Sequence, residues 1–393
     1  MSAKTDTKPQ AQKPVLRPFS PYFSCGPVKK HPGWSLDALG GAMISRSHRS
    51  SAGVARIAEA IDRTHALLGC PEDYKVAMLP GSDTGAMEAA MWSLLGARGV
   101  DVFSCDEFGR RWVLDARDEL KPDGLRIHEA PYGELFDLSQ YDPSRDAVFT
   151  YNATAAGVRL PDFDWIAEDR EGLTICDATS ATFALPIDWA KVDVLTYSWQ
   201  KCLGGEAQHG MIVLSPRALE RLASHRPSWP TPRLLQLYNA DGPNMGLFQG
   251  KTLNTPSLLC VEDYLLALKW VARIGGLEAL HARAAENFQA LDEWVRATGW
   301  VEYLCADPAT RSPAGVTLKF ADPEIAALSQ KKQWKLSRQM GLLLERENAA
   351  LDVTPHPAAP AGLRIWCGPT VEAEDLSVLG PWLDWAYETA RAG

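Results

Sequence analysis

The chain predicts an α/β protein: a large domain built on a mainly parallel, seven-stranded sheet covered by helices, followed by a smaller α+β C-terminal domain. Two observations carry this. Between about residues 50 and 225, seven short apolar runs alternate with helical or loop segments, as in a sheet buried on both faces. Two of these runs end in, or lead directly to, ionisable residues, Asp177 and Lys201, and ligand-facing groups gather at the carboxyl ends of parallel strands.

The strand-like runs are 75–79, 100–104, 125–129, 147–151, 173–176, 192–197 and 211–214. After the first comes the glycine-bounded turn Gly81-Ser-Asp-Thr-Gly85, then the helical pattern Met87, Met91, Leu94, Leu95. The Pro-rich stretch from Arg226 to Arg233 opens a long irregular connection to Asn254, and long connections in compact domains tend to be functional. An apolar helix over 256–274 ends at Gly275-Gly276. The next helix carries the stripe Leu277, Leu280, Ala284, Phe288, Leu291 and Val295, and Gly299 marks its end. Runs at 315–320 and 363–367 read as strands, and Leu376, Leu379, Leu383 and Tyr387 stripe a final helix. The expected organisation is a disordered tail over 1–18, a large domain over 19–275 and a small domain over 276–393.

Three features carry chemistry. Lys201 ends an apolar run and leads into glycines, so its amine is expected in a crevice, where desolvation favours the neutral nucleophile. Taken alone, a strand-end lysine reaching solvent through its stem is the commoner arrangement. Asp177 ends the preceding buried run, one strand-connection-strand unit away. Pyridoxal phosphate needs this pair: a lysine for its aldehyde carbon and a carboxylate that keeps its ring nitrogen protonated. The turn from Gly81 to Gly85 offers free backbone N–H groups and the positive end of a helix dipole to a phosphate, although it is neither a P-loop nor a dinucleotide fingerprint.

With these residues in place, the chain resembles the class V, fold-type I pyridoxal-phosphate aminotransferases, and within them the phosphoserine aminotransferase family. The likeness runs from Ser24-Cys-Gly-Pro27 to Arg364. It rests on Ser47-His-Arg-Ser50, the Gly81 turn, the stretch from Asn152 to Val158, Asp177-Ala-Thr-Ser180, Gln200-Lys201, Asn254-Thr-Pro256 and Leu363-Arg-Ile-Trp366. The resemblance implies that Lys201 holds the cofactor as a Schiff base and shuttles the proton, that Asp177 pairs with the ring nitrogen, and that Thr154 bonds the phenolic oxygen. It gives the cofactor phosphate the N–H groups of Asp83 and Thr84 and the side chain of Gln200, with Asn254 and Thr255 reaching in from a second subunit of a homodimer. Phe108 is the implied ring platform where many relatives carry tryptophan, with Trp112 as the alternative. Asp83 is unusual beside a phosphate and is expected to turn its carboxyl away and cap the helix.

Arg364 lies in an otherwise buried run, where an unpaired charge is costly, so it is expected to meet an anion. The resemblance makes that anion the substrate α-carboxylate, and it assigns His48 and Arg49 to the phosphate or side-chain carboxylate. Read alone, Ser45 to Ser50 is a solvated loop. Arg46 has no assigned role, and His356 reads as a loop histidine that could assist the phosphate.

The implied reaction moves an amino group between L-glutamate and 3-phosphohydroxypyruvate, giving 2-oxoglutarate and 3-phosphoserine by a ping-pong route. Alternatives are alanine-glyoxylate or serine-pyruvate transamination, and a non-catalytic binding protein on the same scaffold. The net charge of -9 argues against nucleic acid. No apolar stretch approaches membrane-spanning length, and no metal is expected. Eight scattered cysteines without a CxxC pair fit a reducing cytoplasm, and Cys202 beside the lysine reads as structural because strand alternation turns neighbours to opposite faces.

Overall fold

A computed structural model describes residues 12–392. Seven strands form the main sheet: β1 (Lys75–Pro80), β2 (Val100–Ser104), β3 (Arg126–Glu129), β4 (Asp146–Thr150), β5 (Thr174–Asp177), β6 (Val194–Ser198) and β7 (His209–Leu214). Their spatial order is β1-β7-β6-β5-β4-β2-β3. The pairs from β6 to β3 are parallel, while β7 runs antiparallel to both β1 and β6, so six strands point one way. All seven expected strands form, each within a few residues of its expected bounds.

Strand alternation divides the sheet's side chains between two cores. Ala77, Leu79, Val102, Val148, Ile175, Val194 and Ile212 pack on one face with Met87 and Met91 of helix α2 (Ser82–Leu94). Val76, Met78, Phe103, Phe149, Cys176, Leu195 and Met211 pack on the other with α1 (Ser51–Leu67) and α5 (Leu258–Ile274). Between those helices in sequence lie α3 (Glu107–Leu114) and α4 (Pro216–Ser224). Capping is local and legible: the Ser50 side chain accepts from Gly53 N at 3.2 Å to start α1, and Gly275, at φ 113°, ends α5.

A second, antiparallel sheet joins β8 (Val301–Tyr303), β9 (Gly315–Phe320) and β10 (Gly362–Trp366). Helices α6 (Gly276–Ala297), α7 (Gln330–Arg346) and α8 (Ala373–Ala392) accompany it. The Thr317 hydroxyl donates to Thr154 O at 3.2 Å, so β9 abuts the turn that follows β4.

The tail expected over 1–18 needs correction within the described residues. Lys13 pairs with Glu347 at 2.6 Å, Arg17 Nε donates to Glu347 O at 2.7 Å, and Trp382 Nε1 donates to Leu16 O at 2.7 Å. These contacts with the α7–α8 side fix a segment whose polar composition suggested a free chain. Residues 1–11 lie outside the described residues.

Candidate active site

Every parallel strand near the sheet's centre delivers a polar residue at its carboxyl end, and these residues meet in one cleft. The turn after β1 brings Ser82, Asp83 and Thr84; that after β2 brings Asp106 and Phe108; that after β4 brings Asn152 and Thr154. From β5 and β6 come Asp177, Ser180, Gln200 and Lys201.

The Lys201 amine donates to Cys25 O, and Val28 N donates to Gln200 O at 2.9 Å, so the segment from Phe23 to Val28 closes over the lysine. A Cβ added to Gly26 would stand 2.5 Å from Lys201 Nζ, and Gly26 adopts φ +146°, so this close wrap needs glycine. Burial lowers the lysine's pKa, and the nearby Arg364 guanidinium lowers it further. Burial also pushes the Cys202 thiol up to about 12, which leaves it a thiol at neutral pH and agrees with its structural reading.

Asp177 is buried with both oxygens engaged. Trp112 Nε1 donates to Oδ2 at 3.1 Å and Thr179 N to Oδ1 at 3.0 Å, which fixes the carboxyl group's orientation. The indole of Trp112 is therefore committed to Asp177. Phe108, one helical turn earlier on α3, faces the lysine instead, with Lys201 Nζ 5.9 Å from its ring centroid.

Asp106 holds this arrangement together. Its Oδ1 accepts from Phe108 N and Gly109 N at 2.9 and 3.0 Å, capping α3, while Oδ2 accepts from Ala155 N at 3.1 Å. One carboxylate thus ties Phe108 to the Thr154 turn, and burial raises its pKa to about 6 against those three donors. Thr154 Oγ1 is fixed in turn by Ser180 Oγ at 2.5 Å, and Ser180 also meets Asn152. Sequence reasoning gave neither Asp106 nor Ser180 a role. The signal for Asp106 was present, since an Asp just before a helical run is a cap.

At the head of α2, Gly81 occupies the N-cap position at φ 83° with no side-chain cap bond. Among the described residues the N–H groups of Asp83 and Thr84 have no protein partner, as a phosphate cup requires. The helix comes close to its strand because a Cβ on Gly85 would lie 2.0 Å from Pro80 O. The Asp83 carboxyl does not cap the helix as expected. It is buried on the sheet side of α2, because the N-cap position falls at Gly81, two residues before it.

Arg364 stands in β10 opposite Thr317, and its side chain has no ion pair or hydrogen bond among the described residues, leaving Nε buried and unpartnered. His356 packs edge-on to Phe108 at 5.5 Å and lies near Arg364, so it borders the cleft rather than open solvent. Arg111, also unassigned from sequence, sits 5.4 Å over the Phe108 ring at the cleft's edge.

His48, Arg49, Asn254 and Thr255 do not line the cleft of their own chain. His48 is buried at the start of α1, while Arg46 and Arg49 are exposed. The long connection does return near the phosphate turn, since Ser257 N donates to His209 Nε2 at 3.2 Å and His209 bridges to Ser82.

The cleft fits pyridoxal phosphate on its own terms. Buried polar atoms without partners, among them Gln200 Oε1, Thr179 Oγ1 and Ser198 Oγ, line it beside the unpaired N–H groups, and a buried polar group without a partner is costly unless a ligand supplies one. Fold and site together define a fold-type I pyridoxal-phosphate-dependent transferase.

No protein-family model matches the chain. A phosphoserine aminotransferase from Methanosarcina mazei is 46% identical over 379 residues, covering 96% of this chain and all of that protein. Among solved structures, a phosphoserine aminotransferase from Cytophaga hutchinsonii superposes with a TM-score of 0.78 at 20% identity, covering 93% of this chain and 98% of that one. A phosphoserine aminotransferase from Trichomonas vaginalis, solved with pyridoxal phosphate bound, gives 0.76 at 18% identity, covering 93% and 99%. The chain belongs to the phosphoserine aminotransferase family.

Proposed function

We propose that this enzyme transfers an amino group between L-glutamate and 3-phosphohydroxypyruvate, giving 2-oxoglutarate and 3-phospho-L-serine, with pyridoxal phosphate held at Lys201. The single observation that carries this reading is the convergence of Lys201, Asp177 and the free N–H groups of Asp83 and Thr84 in one cleft, in a chain 46% identical to a named phosphoserine aminotransferase. The cofactor, when bound, supplies an electron sink for the carbanion formed at the substrate's α-carbon.

The protein supplies the rest. The Lys201 amine, its pKa lowered by burial, would carry a proton between the substrate's α-carbon and the cofactor's aldehyde carbon. Asp177, held in place by Trp112 and Thr179, would pair with the ring nitrogen. Phe108 gives the ring a flat apolar platform, Thr154 meets the phenolic oxygen, and Gln200 joins the phosphate cup. Arg364 receives the α-carboxylate, which removes the cost of its unpaired charge.

His48 and Arg49 are read as the site for the substrate's second anion, and Asn254 and Thr255 as phosphate ligands, each acting in the cleft of a second copy. Their absence from their own chain's cleft supports this, as do the exposed apolar side chains Leu36, Ile44, Met245 and Leu259 on the flanking segments. We further read residues 19–275 as the cofactor-binding domain and 276–393 as the small domain. A cytoplasmic location agrees with eight unpaired cysteines, and no helix of the described residues is long and apolar enough to cross a membrane.

The test is substrate choice. The enzyme should use 3-phosphohydroxypyruvate in preference to glyoxylate, and Arg49→Ala should lower kcat/KM for the phosphorylated substrate by at least about tenfold, near 1.4 kcal/mol. Faster turnover of glyoxylate would instead identify an alanine-glyoxylate type of transaminase.

A further inference from the structure

Asp83 is a buried carboxyl in the cleft to whose side chain the proposed reaction gives no role. It occupies the second position of α2 and is 7% exposed. Strand alternation puts Asp177 on the same face of β5 as Ile175, and Thr196 on the same face of β6 as Val194. Both apolar residues pack against α2, so Asp83 comes down onto a floor made by Asp177 and its ladder neighbour Thr196. Asp83 and Asp177 line the same cleft, with the Thr179 hydroxyl beside them.

The two carboxyls are not equivalent. Asp177 receives two N–H donors, from the Trp112 indole and the Thr179 backbone, whereas Asp83 Oδ1 is buried without a partner. Two adjoining buried carboxyls cannot both ionise, and the proton goes to the one whose anion is less well solvated. We propose that Asp83 is a neutral carboxylic acid that donates to Asp177, so that the pair presents a single negative charge to the cofactor's ring nitrogen. Asp83 is thus a positioning residue, acting through Asp177. This explains how an acidic residue is tolerated in a phosphate-binding turn: its charge is absent, and only its backbone N–H faces the phosphate.

The surrounding groups agree. Burial first, and then repulsion from Asp177, raise the pKa of Asp83, while the hydroxyls of Thr179 and Thr196 pull the other way. The Cys176 thiol on β5 is raised by burial and then by Asp177, so it adds no charge. Asp106, at the head of α3, also feels Asp177 and has a pKa of about 6, so it is ionised at pH 8. Lys201, its pKa lowered by burial, and Arg111 are the basic side chains that line the same cleft.

The inference rests on the proposed cofactor reading for its purpose, but the proton itself can be tested without cofactor. Infrared difference spectroscopy of the apoprotein at pH 8, wild type minus Asp83→Asn, should show a protonated-carboxyl C=O stretch that the variant lacks. In Asp177→Asn, where the repelling charge is gone, loss of that band should move to lower pH. For cofactor binding, Asp83→Asn keeps a neutral donor toward Asp177 and Asp83→Ala does not. Pyridoxal phosphate should therefore bind Asp83→Ala at least tenfold more weakly than Asp83→Asn. No protonated-carboxyl band at pH 8, or equal binding by the two variants, would overturn the proposal. An apoprotein that shows the band but, once loaded with pyridoxal phosphate, carries out no transamination would leave the proton sharing intact and defeat only the functional reading.

Discussion

Replacing Asp106 by alanine should give a loss of stability that is larger in mild acid than at alkaline pH, the reverse of the usual carboxylate behaviour. The substitution removes an N-cap, worth about 1 kcal/mol. It also leaves the buried Ala155 N–H without its 3.1 Å partner, at about 1–3 kcal/mol. Against that stands the cost of ionising a buried carboxyl. Its ordinary pKa of 3.8 rises to about 6 in the folded protein, so the folded state holds the proton more tightly. The associated stability is fully present below the unfolded value and is lost as pH rises through about 6. At about 1.4 kcal/mol per pH unit, the ionisation cost is about 1.6 kcal/mol at pH 5 and about 3 kcal/mol at pH 8. Alanine does not titrate, so the variant's deficit should shrink by about 1.4 kcal/mol between pH 5 and pH 8. Urea unfolding of apoprotein and variant at both pH values, with m held common, measures this. An equal deficit at both, or a larger one at pH 8, would mean that Asp106 is an ordinary or stabilised carboxylate, and the account of its environment would fail.

Other outcomes follow from the same geometry. Gly26→Ala should leave the fold in place by circular dichroism but displace the lysine amine, so that Schiff-base absorbance with added pyridoxal phosphate falls sharply; normal absorbance would show that the wrap over Lys201 is not as tight as 2.5 Å implies. Phe108→Ala should weaken cofactor binding about tenfold, from about 1.4 kcal/mol of lost ring contact, as read by equilibrium titration, whereas an unchanged affinity would remove Phe108 as the platform. Arg364→Ala should lower kcat/KM for glutamate and for phosphoserine alike by about 30- to 1000-fold, since a charge-assisted pair worth about 2–4 kcal/mol is lost; a selective effect on one substrate would displace Arg364 from the shared α-carboxylate.

Much of this fold was legible because its strands are buried on both faces and read as short apolar runs set between turn residues. Lys201 and Asp177 were legible for a related reason, since an ionisable residue ending such a run stands out. Helix α7 was not singled out, because its inward face mixes Gln333 and Ser337 with Leu336, Met340 and Leu344 and so dilutes the apolar stripe. The Asp83 carboxyl was misplaced because cap preference alone cannot say which residue of Gly81-Ser-Asp-Thr-Gly85 becomes the N-cap. Gly81 takes that position in a left-handed conformation, and Asp83 is carried two residues into the helix. Asp106 and Ser180 act through bonds to residues 49 and 26 positions away, a separation that no local pattern reports. The polar segment from Lys13 to Arg17 misled in the same way, since its partners Glu347 and Trp382 lie more than 300 residues downstream.

The central claim is that this cleft carries pyridoxal phosphate on Lys201 and takes the amino group from a phosphorylated amino acid. A single-turnover half-reaction tests it most directly: the purified, cofactor-loaded protein is mixed with 3-phospho-L-serine and, separately, with L-alanine, and the Schiff-base absorbance is followed. The account predicts rapid loss of the band with 3-phospho-L-serine, little change with L-alanine, and no band at all in Lys201→Ala. A band that persists with 3-phospho-L-serine, or that decays equally fast with L-alanine, would contradict it.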